Sequence, residues 1–244
     1  MITERNVPSG SATPSTWRGR LAAFGLLLGS VMATDAIAQT PPPPTWSTAD
    51  MPSQKGRIFL VTGGTSGMGF EDAKALASSG ARVVIAARNP QRGREAIDRI
   101  KQDVPDARVQ FEAVDLADLS SVRDLGKRLG ATLPRLDGLI NNAAIMAPPE
   151  RGTSVDGLEM QFATNYAGHF VLTAELLPLL RKSDAPRVVT LSSIAIHRGS
   201  INLDDLQSTG AYVPMATYAQ SKLACLMFAF ELQRRSEAGG RGIQ

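Results

Sequence analysis

From residue 55 onward, short unbroken apolar runs alternate with longer amphipathic stretches. "RIFLVT" (57–62), "ARVVIAA" (81–87), "ARVQFEAVD" (107–115), "LDGLINNAA" (136–144) and "PRVVTLSS" (186–193) have the length and composition of strands. Between them lie helical stretches: "GFEDAKALASSG" (69–80), closed by Gly80, then 90–103, 119–133, a long one across 162–180, and 216–237. Strands covered on both faces read as continuous apolar runs, and strand–helix alternation at this spacing argues for a parallel sheet. Right-handed crossovers then leave one leading topology. The pattern predicts an α/β fold: a doubly wound, Rossmann-like parallel sheet in three α/β/α layers, whose last legible element is the helix carrying Tyr218 and Lys222.

The first fifty residues follow other rules. Arg18 and Arg20 precede "LAAFGLLLGSVMA", thirteen uncharged residues, and "AIA" ends at Ala38. The run is too short to span a bilayer comfortably, so no stable membrane span is expected. A basic flank, a short apolar core and small residues at cleavage spacing describe a secretory signal over 1–38. A buried helix, or an extension that serves no targeting, is the competing reading; the chain would then stay in the cytoplasm. Residues 39–54, with four consecutive prolines, read as an extended linker. The folded domain is expected over 55–244.

Composition narrows the function classes. Hydrophobic residues make up 43% and charged residues 20% of the 244, enough for one sizeable core. The net charge of +3 comes without basic runs carrying interleaved aromatics, so nothing argues for nucleic acid. One cysteine, Cys225, and two histidines, His169 and His197, make a structural zinc site a poor reading, and no metal is expected. No G-x-S-x-G elbow occurs.

"FLVTGGTSGMGF" (59–70) places glycines between the first strand and its helix, where doubly wound folds bind phosphate. Gly63, Gly67 and Gly69 are spaced G-x-x-x-G-x-G. Glycine permits positive φ and lets a ligand approach bare backbone. A Walker A loop needs Lys-Ser/Thr after the last glycine, but Phe70 and Glu71 stand there; strict G-x-G-x-x-G fails at Asp72. A plain tight turn is the weaker reading, given the flanking strand and helix. The second strand ends at Arg88, where NAD sites usually place an acid for the ribose. Arg92 and Arg94 are near. A guanidinium suits a 2′-phosphate, so NADP(H) is favoured over NAD(H).

"TGGTSGMG", "NNAA", "LSS" and "YAQSK", in that order, resemble the short-chain dehydrogenase/reductase family over nearly all of 55–244. "AARNPQRG", "TNYAGHFVLT" and "LSSIAIHRG" look most similar to its retinol-dehydrogenase-like branch. The resemblance implies a cofactor cradle of Gly63, Thr65, Ser66, Gly67, Met68 and Gly69. It places Asp115 and Leu116 at the adenine and Asn142 and Ala143 at the nicotinamide. Asn142 also reads as a polar brace between strands. The implied catalytic set is Asn165, Ser193, Tyr218 and Lys222, with the lysine also on the nicotinamide ribose. The implied reaction is reversible hydride transfer between NADP(H) and a lipophilic alcohol or carbonyl compound.

The residue types fit that chemistry. Tyr218 and Lys222 are four apart on a helix and point the same way. A tyrosine with a pKa near 10 needs help to act near neutrality, and lowering it by ~3 units takes ~4 kcal/mol of differential stabilisation. A neighbouring ammonium and the nicotinamide charge could supply it. Ser193, rather than Ser192, is expected to polarise the substrate oxygen. Asn165 is expected to support a water-linked proton path to the lysine; a helix-interior residue bonding backbone is the competing reading. His169, Cys225, Phe228 and Phe230 read as packing, and His197 as loop surface that could touch substrate. The long connection 197–215 is expected to border the pocket. "AGGRGIQ" resembles the approach to a further strand, without which the fifth strand would carry an open edge. An alternative is therefore a nucleotide-binding or interaction domain without efficient turnover. The resemblance also implies a homodimer or homotetramer through the helices bearing Asn165 and Tyr218.

Overall fold

The computed structural model describes residues 46–244 apart from residue 241. The signal-like segment 1–38 and residues 39–45 of the linker lie outside the described residues. Five parallel strands, β1 (Ile58–Thr62), β2 (Arg82–Ala87), β3 (Arg108–Ala113), β4 (Gly138–Asn141) and β5 (Arg187–Thr190), form one sheet in the order β3-β2-β1-β4-β5. The helices are α1 (Gly67–Ser78), α2 (Pro90–Asp103), α3 (Leu119–Thr132), α4 (Gly168–Leu180) and α5 (Pro214–Ala238). Strand order reverses between β1 and β4, so the C-terminal ends of those two strands open into the switch-point crevice of a doubly wound sheet.

The unbroken apolar run of β1 is divided by its pleat. Ile58 and Leu60 join the leucines of α3 and α4 on one face, while Phe59 and Val61 meet Phe70, Ala73 and Leu76 of α1 and Ile100 of α2 on the other. Leu60 and Val61 are fully buried, each contributing about 1.5–3 kcal/mol of burial free energy. A strand packed on both sides has no polar face to alternate, hence its apolar run.

Local chemistry sets the boundaries. Helix α2 starts at Pro90, whose missing N–H is harmless at the first helical position, and the Asn89 side chain accepts the Arg92 amide at 3.1 Å. Asp118 caps α3 in the same way, accepting from Ser120 and Ser121. Strand β4 ends earlier than the apolar pattern suggests: the amides of Asn142 and Ala143 leave the ladder and donate to the Thr62 hydroxyl at 2.9 and 3.0 Å. The long helix expected over 162–180 divides into a π-helical stretch, Phe162–Ala167, followed by α4. Such widened turns are rare and recur at functional sites.

The fifth strand is not wholly bare. Gln244 donates to the Pro186 carbonyl at 3.1 Å and accepts from Val188 at 2.7 Å, and Ile243 is buried in the core. Phe228 packs against Phe170 and Tyr166, but Phe230, read from sequence as packing, is 69% exposed. Among the described residues, no helix is long and apolar enough to cross a membrane.

Candidate active site

The crevice over β1, β2 and β4 holds a cavity of about 290 Å³ lined by Gly63, Thr65, Arg88, Asp115, Leu116 and Ala143, with Asn89 and Arg92 beside them. It collects six of the expected cofactor residues. Gly67 has φ +56°, and no protein atom lies within 4 Å of where its Cβ would stand. That is bare backbone facing open space, as approach by a pyrophosphate requires. Gly69 serves packing instead, because a Cβ there would strike the Asn142 amide. Met68 is exposed beside it. Neither Arg88 nor Arg92 has an ion-pair partner among the described residues, whereas Arg94 turns away to Gln91 at 2.6 Å. The Asp115 carboxylate accepts the Ala117 amide at 3.0 Å. A dinucleotide fits this set: an anion-accepting helix start, an adenosine-sized cavity and two unpaired guanidiniums.

A second cavity, of about 760 Å³ and mainly apolar, begins at Met146, the chain neighbour of Ile145 in the lining of the first. Met146, Ile194, Ala195 and Met215 form its walls, and Ser193 and Tyr218 open onto it. His197, Arg198 and Met215 also line it, so both ends of the long connection border the pocket as expected. The two adjacent serines have different environments. Ser192 Oγ donates to the Lys222 carbonyl at 2.9 Å, tying β5 to α5. Ser193 Oγ accepts the Ala195 amide at 3.2 Å as the cap of a 3-10 turn, Ile194–Arg198, leaving its hydroxyl proton for another acceptor.

Tyr218 and Lys222 stand one turn apart on α5, 8% and 4% exposed. The Lys222 ammonium donates to the Leu191 carbonyl at 2.9 Å. Burial holds its pKa below the ordinary lysine value, with the Cys225 thiol opposing slightly. Cys225 is buried beside it, its thiol pushed up to about 11 by desolvation, and it donates to the Asn165 carbonyl.

Asn165 lies in the π-helical stretch, 1% exposed. Its side chain clamps the backbone of Ile145, accepting from the amide at 2.9 Å and donating to the carbonyl at 3.0 Å. It also donates to Ser221 Oγ at 3.0 Å, which donates to the Tyr218 carbonyl. Asn165 thus braces the exit of β4 against the Tyr218 turn. Asn142 is a brace too, donating to the Thr62 carbonyl at 2.8 Å.

His169 was read from sequence as packing, and it is buried, but it is polar in function. One ring nitrogen meets Thr62 Oγ1 and the other the Asn165 carbonyl, both at 2.9 Å. Desolvation lowers its pKa to about 4. The sequence signal was present in its spacing: four residues after Asn165, it occupies the same helix face.

This arrangement, a parallel doubly wound sheet with a glycine-lined crevice at its switch point, is that of a nucleotide-binding α/β fold. The short chain dehydrogenase family matches residues 57–244. Human polyprenol dehydrogenase is 42% identical over 196 residues, covering 79% of this chain and 59% of that protein. Mouse retinol dehydrogenase 12 is 41% identical over 185 residues, covering 76% and 58%. Among solved structures, an uncharacterized Mycobacterium paratuberculosis protein superposes with a TM-score of 0.73 at 42% identity, over 82% of this chain and 69% of that one. A Shigella flexneri protein solved in complex with NADP gives 0.62 at 27% identity, over 78% and 74%. The chain belongs to the short-chain dehydrogenase/reductase family of oxidoreductases, in its retinol-dehydrogenase-like branch. It spans about three fifths of the length of the curated relatives it matches.

Proposed function

We propose that the chain carries the catalytic residues of an NADP(H)-dependent alcohol dehydrogenase or carbonyl reductase acting on a lipophilic substrate. One observation carries this reading: Ser193 and Tyr218 open together onto a large apolar cavity next to the glycine-lined crevice. The relatives named for polyprenol and retinol support an apolar alcohol, and the neighbour solved with NADP supports the cofactor.

Bound nicotinamide would supply or accept the hydride. The start of α1, from Ser66 to Gly69, would hold the pyrophosphate, Arg88 with Arg92 the 2′-phosphate, and Asp115 and Leu116 the adenine. Asn142 and Ala143 would lie along the nicotinamide, and Lys222 would hold its ribose. Ser193 would hydrogen-bond the substrate oxygen through its free hydroxyl proton, without giving it up, and polarise the carbonyl. Tyr218 would give that oxygen a proton in reduction and take it back in oxidation. Lys222, anchored on Leu191, would place a cation one turn away and favour the tyrosinate. Asn165 would keep that turn in place through Ser221. Apolar walls would exclude bulk water from the reacting carbon.

Tyr218→Phe tests the assignment. General acid–base catalysis contributes about 10²–10⁴-fold, so NADPH oxidation with a long-chain aldehyde should fall at least ~100-fold, with NADPH binding retained. Reduction surviving unchanged would refute the mechanism.

A further inference from the structure

His169 touches neither cavity, yet it joins two halves of the site. A carbonyl oxygen can only accept, so the nitrogen facing Asn165 O must carry the ring proton; this is Nδ1. Nε2 is then a lone pair, and the Thr62 hydroxyl donates to it. That uses the single Thr62 proton. Its two remaining lone pairs take the amides of Asn142 and Ala143 at 2.9 and 3.0 Å. The bonds run in one direction, amides to Thr62, Thr62 to His169, His169 to Asn165, with the Ile140 carbonyl at 3.3 Å a longer second acceptor for the Thr62 proton. His169 and Thr62 are 2% and 0% exposed, so water cannot substitute for a missing partner.

We propose that His169 is a positioning residue: as its Nδ1–H tautomer it fixes the Asn165 carbonyl in the π-helical stretch to the end of β1, and so sets the Asn142–Ala143 backbone against the turn that carries Tyr218 and Lys222. The inference rests on the dehydrogenase reading for its consequence in turnover, but not for the bonds themselves. The two sides separate by substitution. His169→Gln keeps an acceptor where Nε2 stands and loses the donor to Asn165; His169→Asn keeps a donor where Nδ1 stands and leaves the Thr62 hydroxyl only the longer bond to the Ile140 carbonyl at 3.3 Å.

The test uses the full chain and four measurements: imidazole 15N NMR, melting temperature, NADPH titration by fluorescence, and single-turnover NADPH oxidation with a long-chain aldehyde. The wild-type protein should show one neutral histidine protonated on Nδ1 at pH 7. One lost hydrogen bond corresponds to about tenfold in an equilibrium or a rate. His169→Gln should therefore mainly slow turnover, about tenfold. His169→Asn should mainly weaken NADPH, about tenfold. An Nε2–H tautomer, or equal losses of both quantities that track melting temperature in the two variants, would overturn the proposal and leave His169 a structural residue. Failure of the dehydrogenase reading shows separately, as wild-type protein that binds no NADPH or as unimpaired Tyr218→Phe.

Discussion

Mild acid should loosen this domain through one side chain. His169 is enclosed by Thr62, Asn165 and α5, and the ionisable groups facing it from α5 are Lys222, whose charge opposes a second cation, and the protonated Cys225 thiol. Protonation would turn Nε2 into a donor aimed at a hydroxyl oxygen that already accepts two amides. The folded pKa of about 4 lies below the ordinary 6.5. Between those values the unfolded chain binds the extra proton and the folded one does not, so stability is full above pH 6.5 and falls as pH drops toward 4. The whole shift corresponds to roughly 3 kcal/mol. Between pH 7 and 5, before most carboxylates titrate, the loss is about 2 kcal/mol. With a urea m-value of about 2 kcal/mol/M, the midpoint should move down by about 1 M. Urea unfolding of wild type and His169→Gln at pH 7, 6 and 5 measures it, with His197→Gln as a control for the exposed histidine. Parallel loss in wild type and His169→Gln would refute the reasoning.

Other outcomes follow from geometry already described. Arg88→Ala should weaken NADPH about 10–100-fold, the worth of charge-assisted bonds to a phosphate, and leave NADH affinity nearly unchanged in paired titrations. Equal losses for both cofactors would remove the 2′-phosphate role. Gly168→Ala should destabilise by about 1–3 kcal/mol, because a Cβ there meets the Leu116 backbone carbonyl, which cannot swing aside. Gly130→Ala, within α3 and with open space around its Cβ, should stabilise by about 0.5–1 kcal/mol. Calorimetric melting of the two glycine variants should therefore shift in opposite directions.

The layers and the parallel, doubly wound sheet were legible because burial on both faces leaves an unbroken apolar run, and because Asn89–Pro90 and Asp118 write their helix starts into the sequence. The ends of strands were less so. Residues 142–144 stay apolar or small, but a side chain, Thr62, takes their amides, and no periodicity reports that. The π-helical stretch was invisible for a related reason: one wider turn displaces later residues without altering composition. At the site, Ser193 and Tyr218 line one cavity and Gly63, Arg88 and Asp115 another. What composition could not reveal was His169. A histidine amid leucines on a buried helix face looks like filling until the partners of both nitrogens are known. Ser192 and Ser193 are equally ambiguous in a string and distinct in space, since only one of the two hydroxyls is committed to α5.

The connection from Gly199 to Val213 is attached differently from the rest of the molecule. Leu203 and Val213 are 79% and 56% exposed, and the segment is tied down by polar contacts: Arg151 to the Gln207 carbonyl at 2.9 Å, Gln207 to the Glu159 amide at 2.6 Å, and Tyr212 to the Pro148 carbonyl at 2.9 Å. Apolar burial is lost only when the core opens, but tethers of this kind break and remake singly. Amide hydrogens in the connection should therefore exchange with solvent orders of magnitude faster than those of β1. The rim beside the Tyr218 cavity can therefore open and reclose on its own timescale while the sheet behind it remains closed.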